Sequence, residues 1–280
     1  MAILETKNLT YTYGIGTPFQ KTAVQDVSIT INKGEFIGII GHTGSGKSTL
    51  IQMLNGLIKP ASGQVFYNGT DIFSKPKELR QLRFNVGMVF QYPEYQLFAE
   101  TVYDDIAFGP KNMGLSGDDL DEAVRNAARF AGLKEELLTA SPFDLSGGEK
   151  RRAAIAGVIA MNPDVLIMDE PTAGLDPVGR DVILAQIHSY HKQCGNTVLL
   201  VSHSMEDVAR LCEKVLVMNE SKAVMFDETK KVFAQAEMLN QMGLRLPQIT
   251  QITQALRKNG YAIPPDILTV EEAVEMIKSI

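Results

Sequence analysis

Cysteine is scarce in this 280-residue chain. Cys194 and Cys212 are the only two, lie far apart, and share no metal-like spacing with each other or with histidine. A Cys/His zinc site is thereby excluded, and both read as inert thiols. Long apolar runs are missing as well: none approaches the roughly 18 residues of a membrane-spanning helix. The first residues, MAILETKNL, lack the charged-then-apolar pattern of a signal peptide. The chain is therefore expected to be cytoplasmic, and at a membrane only through partners. Nor is there an excess of basic residues. A net charge of -6 argues against a general nucleic-acid binder, which carries a basic face. Internal repeats and low-complexity segments are also absent. What is present is ordinary globular material, 45% hydrophobic and 21% charged, long enough for one large domain or two smaller ones.

The patterning of that material changes along the chain. Residues 3 to 31 alternate apolar and polar positions on either side of the loop GIGTPFQKT, which predicts antiparallel strands. EFIGII is then a short buried strand running into a glycine-rich loop, and KSTLIQMLNGL carries helical spacing. ASGQVFY and the end of RQLRFNVGMVFQ return to strand. Residues 92 to about 160 are mostly helical by pattern, with Leu120, Val124 and Ala127 on one face and Gly132 as a stop. VLIMDE and TVLLVSH are two further buried strands separated by a helix, the βαβ rhythm of a parallel sheet. Beyond about Asn240 come short helices. Ile249, Ile252 and Leu256 are expected on one face, and Thr269 with Glu272 forms a capping box ahead of Val270, Val274 and Ile277. This tail reads equally as a packing extension of the core or as a protein contact surface.

Chemistry concentrates in three stretches. GHTGSGKS, Gly41 to Ser48, fits G-x-x-x-x-G-K-[ST] between a predicted strand and helix, the context such a phosphate loop requires. Gly41, His42, Thr43, Gly44, Ser45, Gly46, Lys47, Ser48 and Thr49 make the expected cradle. Its backbone N–H groups face the β-phosphate, Lys47 gives a point charge to the β- and γ-phosphates, and the Ser48 hydroxyl ligates Mg²⁺. The imidazole of His42, like those of His188 and His191, has no motif register and is assigned no role. In VLIMDE, Asp169 is delivered beside the magnesium, while Glu170, one residue on, faces the other way as general base for water. LSGGEKRR, from Leu145 to Arg152, raises a puzzle. It is a second phosphate cradle on a helix start, Ser146, Gly147 and Gly148, with Ser146 as N-cap and Glu149 at the third position.

Six motifs in order, the phosphate loop, Gln91, LSGGE, VLIMDE, AGLD and His203, resemble the ATP-binding cassette ATPases over residues 3 to 225. The resemblance implies an α/β P-loop NTPase fold. It has a mainly parallel core sheet, an N-terminal antiparallel β subdomain, an inserted helical subdomain and a small C-terminal helical extension. It also implies that Gln91 reaches the magnesium and the water, that His203 contacts the γ-phosphate, and that Tyr13 stacks on adenine, with Tyr11 the weaker candidate. The second cradle is then explained. Family members work as head-to-tail pairs, so Ser146, Gly147 and Gly148 would bind the partner's γ-phosphate, and Asp176 of AGLD would span the interface.

QYPEYQLFAETVYDDIAFGPKNMGLS, EKRRAAIAGVIAMNPDVLIMDEPTAGLDPVGR and the tail GLRLPQITQITQALRKNG narrow the resemblance. They are similar to the ATPases of energy-coupling factor transporters, which import vitamins and transition-metal ions, and most of all to the second of the two paralogous subunits. Glu149 stands where many relatives have Gln. The expected division is residues 1–238 as nucleotide-binding domain, with its helical subdomain at about 92–160, and 239–280 as a C-terminal extension and dimer contact. ATP and Mg²⁺ are the expected ligands. A paralogous ATPase, a transmembrane coupling subunit docking near Gln91 to Phe98, and a substrate-binding membrane subunit are the expected partners, with no nucleic acid. Tyr92, Pro93, Tyr95, Leu97 and Phe98 read as a groove for that coupling subunit or as internal packing of the helical region. Glu94, Glu100, Asp104 and Asp105 are expected to pair with its arginines. A soluble cassette acting on DNA or ribosomes is the alternative function, and a P-loop small-molecule kinase is a second rival that needs neither LSGG nor AGLD.

Overall fold

The computed structural model describes residues 1–261, 263–264 and 266–278. Alternation at the N-terminus produces β1 (Ala2–Tyr13), β2 (Lys21–Val27) and β3 (Thr30–Asn32), followed by the fully buried β4 (Phe36–Ile40) and helix α1 (Lys47–Leu54). The chain then forms β5 (Ser62–Tyr67), β6 (Thr70–Asp71), α2 (Leu79–Asn85) and β7 (Val86–Val89). Three helices follow: α3 (Val102–Met113), α4 (Gly117–Phe130) and α5 (Gly147–Ile159). The βαβ rhythm resumes with β8 (Val165–Asp169), α6 (Pro177–Cys194), β9 (Thr197–Val201), α7 (Met205–Leu211) and β10 (Lys214–Asn219). β11 (Lys222–Glu228) and the short helices α8 (Thr229–Ala234), α9 (Ala236–Gln241), α10 (Gln248–Lys258) and α11 (Val270–Lys278) complete it.

Two sheets result. In the first, β1 pairs antiparallel with β2, β3 and β5, and β6 extends β5. The second has the order β11-β10-β4-β9-β8-β7 and is parallel except for its β11 edge. Its central strands β4, β8 and β9 are buried at every position because both faces are covered. Phe36 and Ile40 of β4 point into one core, with the helices α3 to α7, while Ile37 and Ile39 point into the other, shared with α1 and the antiparallel sheet. The parallel strands consequently all end on one edge of the sheet, and the loops leaving those ends meet there.

The tail departs from its expected pattern. α10 buries Thr250 and Thr253 rather than a full apolar stripe: the Thr250 hydroxyl donates to the Ile267 carbonyl (2.9 Å) and Thr253 to Thr250 (3.0 Å). Ile249 and Leu256 pack in the small cluster around Ile263 and Ile267, but Ile252 is 54% exposed. The Thr269–Glu272 capping box forms, with Glu272 accepting from the Leu268 and Thr269 N–H groups. Val270, Val274 and Ile277 are exposed, and Ala273 takes the buried position. Among the described residues no helix is long and apolar enough to cross a membrane.

Candidate functional site

The loop from β4 to α1 owes its shape to glycine at two positions. Gly41 and Gly46 have φ of 154° and 103°, and a Cβ there would lie 2.3 Å from the Met218 carbonyl and 2.0 Å from the Ala23 carbonyl. No L side chain fits either place. The Lys47 ammonium folds back over the loop, donating to the carbonyls of Gly41 (2.7 Å) and His42 (3.1 Å). Burial lowers its pKa, against the pull of the Glu170 and Asp169 charges. His42 points outward, its Nδ1 on the Thr43 carbonyl (2.8 Å), and Ser45 Oγ is buried with no partner among the described residues.

Three other strand ends converge on this loop. β8 ends at Asp169, which is buried; burial raises its carboxyl above the ordinary value, and a hydrogen bond from Ser48 opposes the rise. Glu170 then turns, with φ 50°, an unusual value for a residue with a side chain. Its N–H is held by the Val201 carbonyl (3.0 Å), so the turn is fixed from the neighbouring strand β9. This reversal sends the two adjacent carboxylates to different places. Glu170 Oε2 accepts from the Gln91 amide (3.0 Å), and Oε1 lies 2.7 Å from His203 Nε2. Gln91 follows β7 and His203 follows β9. The three proposed reacting side chains thus arrive from three strands to form one contact.

A cavity of about 470 Å³ lies beside them. Thr43, Gly44, Gly46, Lys47, Ser48 and Thr49 form its floor, and Gln91, Glu170 and His203 one wall. Tyr13 lines it too, its hydroxyl on Thr49 Oγ1 (3.2 Å) and its ring edge-to-face with Tyr11 (4.8 Å between centroids). Gly41, His42, Ser45 and Asp169 support the floor without lining it. Ser146, Gly147 and Gly148 do not line the cavity either. Ser146 and Gly147 are exposed at the start of α5, where a complete capping box satisfies the helix: Ser146 N–H donates to Glu149 (2.9 Å), and Glu149 N–H to Ser146 Oγ (3.4 Å). Asp176 caps α6 through Gly179 N–H (2.9 Å).

A family model described as ABC transporter matches residues 24–173. The energy-coupling factor transporter ATP-binding protein EcfA2 of Caldanaerobacter subterraneus subsp. tengcongensis is 52% identical over 98% of this chain and 96% of its own. The protein of the same name from Clostridium acetobutylicum is also 52% identical, over 98% and 96%. The chain belongs to the energy-coupling factor transporter ATP-binding proteins. Among solved structures, cbiO1 from Clostridium perfringens, described as part of the ABC transporter complex cbiONQ, superposes with a TM-score of 0.77 at 39% identity, covering 90% of this chain and 99% of that one. The ATP-binding cassette MJ0796, solved as a dimer bound to ADP and Pi, gives 0.73 at 27% identity over 81% and 98%. The P-loop α/β fold expected from sequence is therefore that of this family, and so is ATP hydrolysis coupled to transport.

One expectation about this ABC ATPase is corrected in part. Three of the four acids after Gln91 are already engaged within the chain. Glu94 forms a bidentate pair with Arg151 (2.9 and 2.6 Å), whose side chain is 3% exposed and which also donates to the carbonyls of Pro171 (3.2 Å) and Ala173 (2.6 Å). Asp105 accepts from the Phe98 and Ala99 N–H groups, and Asp104 from Thr101 and Lys111. Only Glu100 of the four makes no such contact among the described residues. The aromatic cluster itself is open: Tyr95 is 83% exposed and Phe98 61%, and Phe108 of α3, unnoticed in the sequence, stacks edge-on against Phe98 at 5.1 Å. Pro93 is buried. A second residue unnoticed in the sequence is Lys21, which lines the cavity. The alternation of β1 and β2 was the signal that could have found it, because it sets Lys21 opposite Tyr13.

Proposed function

We propose that this chain is one ATPase subunit of an energy-coupling factor transporter for vitamins or other micronutrients, working at the cytoplasmic face of the membrane as a head-to-tail dimer. The observation that carries the dimer reading is the separation of its two phosphate cradles. One floors the cavity beside Glu170; the other, at Ser146, stands exposed outside it. Each is half of a site, and the helix start of α5 presents N–H groups and a positive dipole end to the partner's nucleotide. Tyr13 stacks on the base. Glu170, held between Gln91 and His203, takes the proton of the attacking water, and His203 contacts the γ-phosphate.

The donor set at the loop suits magnesium. Ser48, Asp169 and Gln91 are hard oxygen donors, and magnesium uses one or two carboxylates together with phosphate oxygens and water. Among the described residues no cluster of three or more His, Cys, Asp and Glu would hold a metal unaided. Bound there, the ion would neutralise charge on the phosphate oxygens.

Residues 1–238 form the nucleotide-binding domain and 239–280 the extension, a further dimer contact. The partner in the dimer is a paralogous ATPase rather than a second copy. The exposed aromatic patch at Tyr95, Phe98 and Phe108 receives the transmembrane coupling subunit, which in turn joins a substrate-binding membrane protein. Capture of the tagged chain from solubilised membranes tests this directly. Recovery with a second ATPase and two membrane proteins supports it; recovery alone, or with DNA or ribosomes, overturns it.

A further inference from the structure

We propose that Lys21 is a phosphate-binding residue of this site, a second cation besides Lys47 that grips the phosphate chain of the bound nucleotide. The inference rests on nucleotide binding in the cavity. The β1–β2 ladder sets Lys21 directly across from Tyr13, the residue proposed to stack on the base. From there the side chain reaches toward the phosphate loop: its Nζ lies 3.6 Å from where a Cβ on Gly44 would be. It lines the same cavity as Gly44, Lys47 and Thr49. Lys21 thus spans the interval between base and loop, where the phosphates nearest the ribose must lie if the terminal ones reach Glu170 and His203.

The two lysines are in opposite situations. Lys47 is buried and already donates to two loop carbonyls. Lys21 is exposed, and its side chain makes no hydrogen bond or ion pair among the described residues. A free ammonium has no partner to give up, so closing on a phosphate costs it only side-chain freedom and some hydration. The gain is a charge-assisted hydrogen bond to an anion that carries several charges. A lysine that merely solvates a surface would be indifferent to whether the ligand has phosphates.

That difference is the test. Dissociation constants of the full chain for ADP and for adenosine are compared for the wild type, Lys21→Met and Lys21→Arg, at low salt and near 1 M salt. The proposal expects Lys21→Met to weaken ADP about three- to tenfold and leave adenosine unchanged. Lys21→Arg keeps ADP binding close to wild type. The ADP deficit shrinks at high salt, where the screening length falls to about 3 Å. Equal ADP affinity for wild type and Lys21→Met overturns it, as does an equal loss for ADP and adenosine, which would mark a packing contact. A wild-type chain that bound no ADP would overturn the nucleotide reading together with this one.

Discussion

In the proposed mechanism Glu170 is the general base, and its geometry sets it apart from the carboxylate beside it. The left-handed turn at φ 50° directs Asp169 back toward Ser48 and Glu170 out to Gln91 and His203. General-base catalysis of this kind contributes roughly 10²- to 10⁴-fold. Glu170→Gln should therefore lower ATP turnover by about that factor while nucleotide affinity, measured by equilibrium binding, stays close to wild type. Turnover equal to wild type would remove Glu170 as the base. This part of the site was legible in the sequence because the phosphate loop and the strand-end acids are local motifs, each set by a few consecutive residues. Glu94 shows the limit of such reading. Its partner, Arg151, is 57 positions away in the chain, and nothing in the local pattern announces that the carboxylate is spent inside the molecule.

At the scale of elements, Arg151 ties three of them together. Rooted in α5, it clasps Glu94 in the segment after Gln91 and the two carbonyls that follow Glu170, and its guanidinium lies 5.8 Å from the Tyr92 ring centroid. Breaking a buried ion pair by removing one partner costs about 3–5 kcal/mol. Arg151→Met should cost about that much in urea unfolding, and Arg151→Met with Glu94→Gln less than the sum of the single changes, since the pair is coupled. Additive losses would show that the two residues act independently. The start of α5 gives a second prediction. Ser146→Ala removes the N-cap and should cost about 0.5–2 kcal/mol, yet leave ADP affinity of the isolated chain unaltered, because Ser146 lies outside its own cavity. Hydrogen bonds from Ser146 hold the Glu149 carboxyl below its usual 4.5. Its contribution to the helix is thus complete above pH 4.5 and is lost as pH falls through the lower folded value. The wild-type advantage over Ser146→Ala in unfolding should narrow over that acidic range, and a constant difference would contradict it. Sequence periodicity served these elements unevenly. It found α4, whose buried face is apolar, and found α10 with Ile249 and Leu256 packed, but it missed that Thr250 and Thr253 are buried there with their hydroxyls on backbone carbonyls while Ile252 is exposed.

For the whole molecule, the proposed function turns on incompleteness. The parallel sheet gathers Gln91, Glu170, His203 and the phosphate loop at one edge, whereas the second cradle projects from the helical region, exposed and capped only by its own Glu149. The antiparallel sheet adds Tyr13 and Lys21 to the cavity, two residues whose meeting depends on strand register rather than on any motif. In the proposed function ATP is the ligand that joins two chains and hydrolysis releases them, a population shift driven by the nucleotide's preference for the closed pair. The most direct measurement is sedimentation velocity on the Glu170→Gln chain together with its co-purified second ATPase, with and without MgATP. The account predicts a stable closed dimer with MgATP that is lost when Gly147→Asp is added to the same chain, although that variant still binds nucleotide. A complex whose association ignores MgATP, or one that closes equally well with Gly147→Asp, would contradict it.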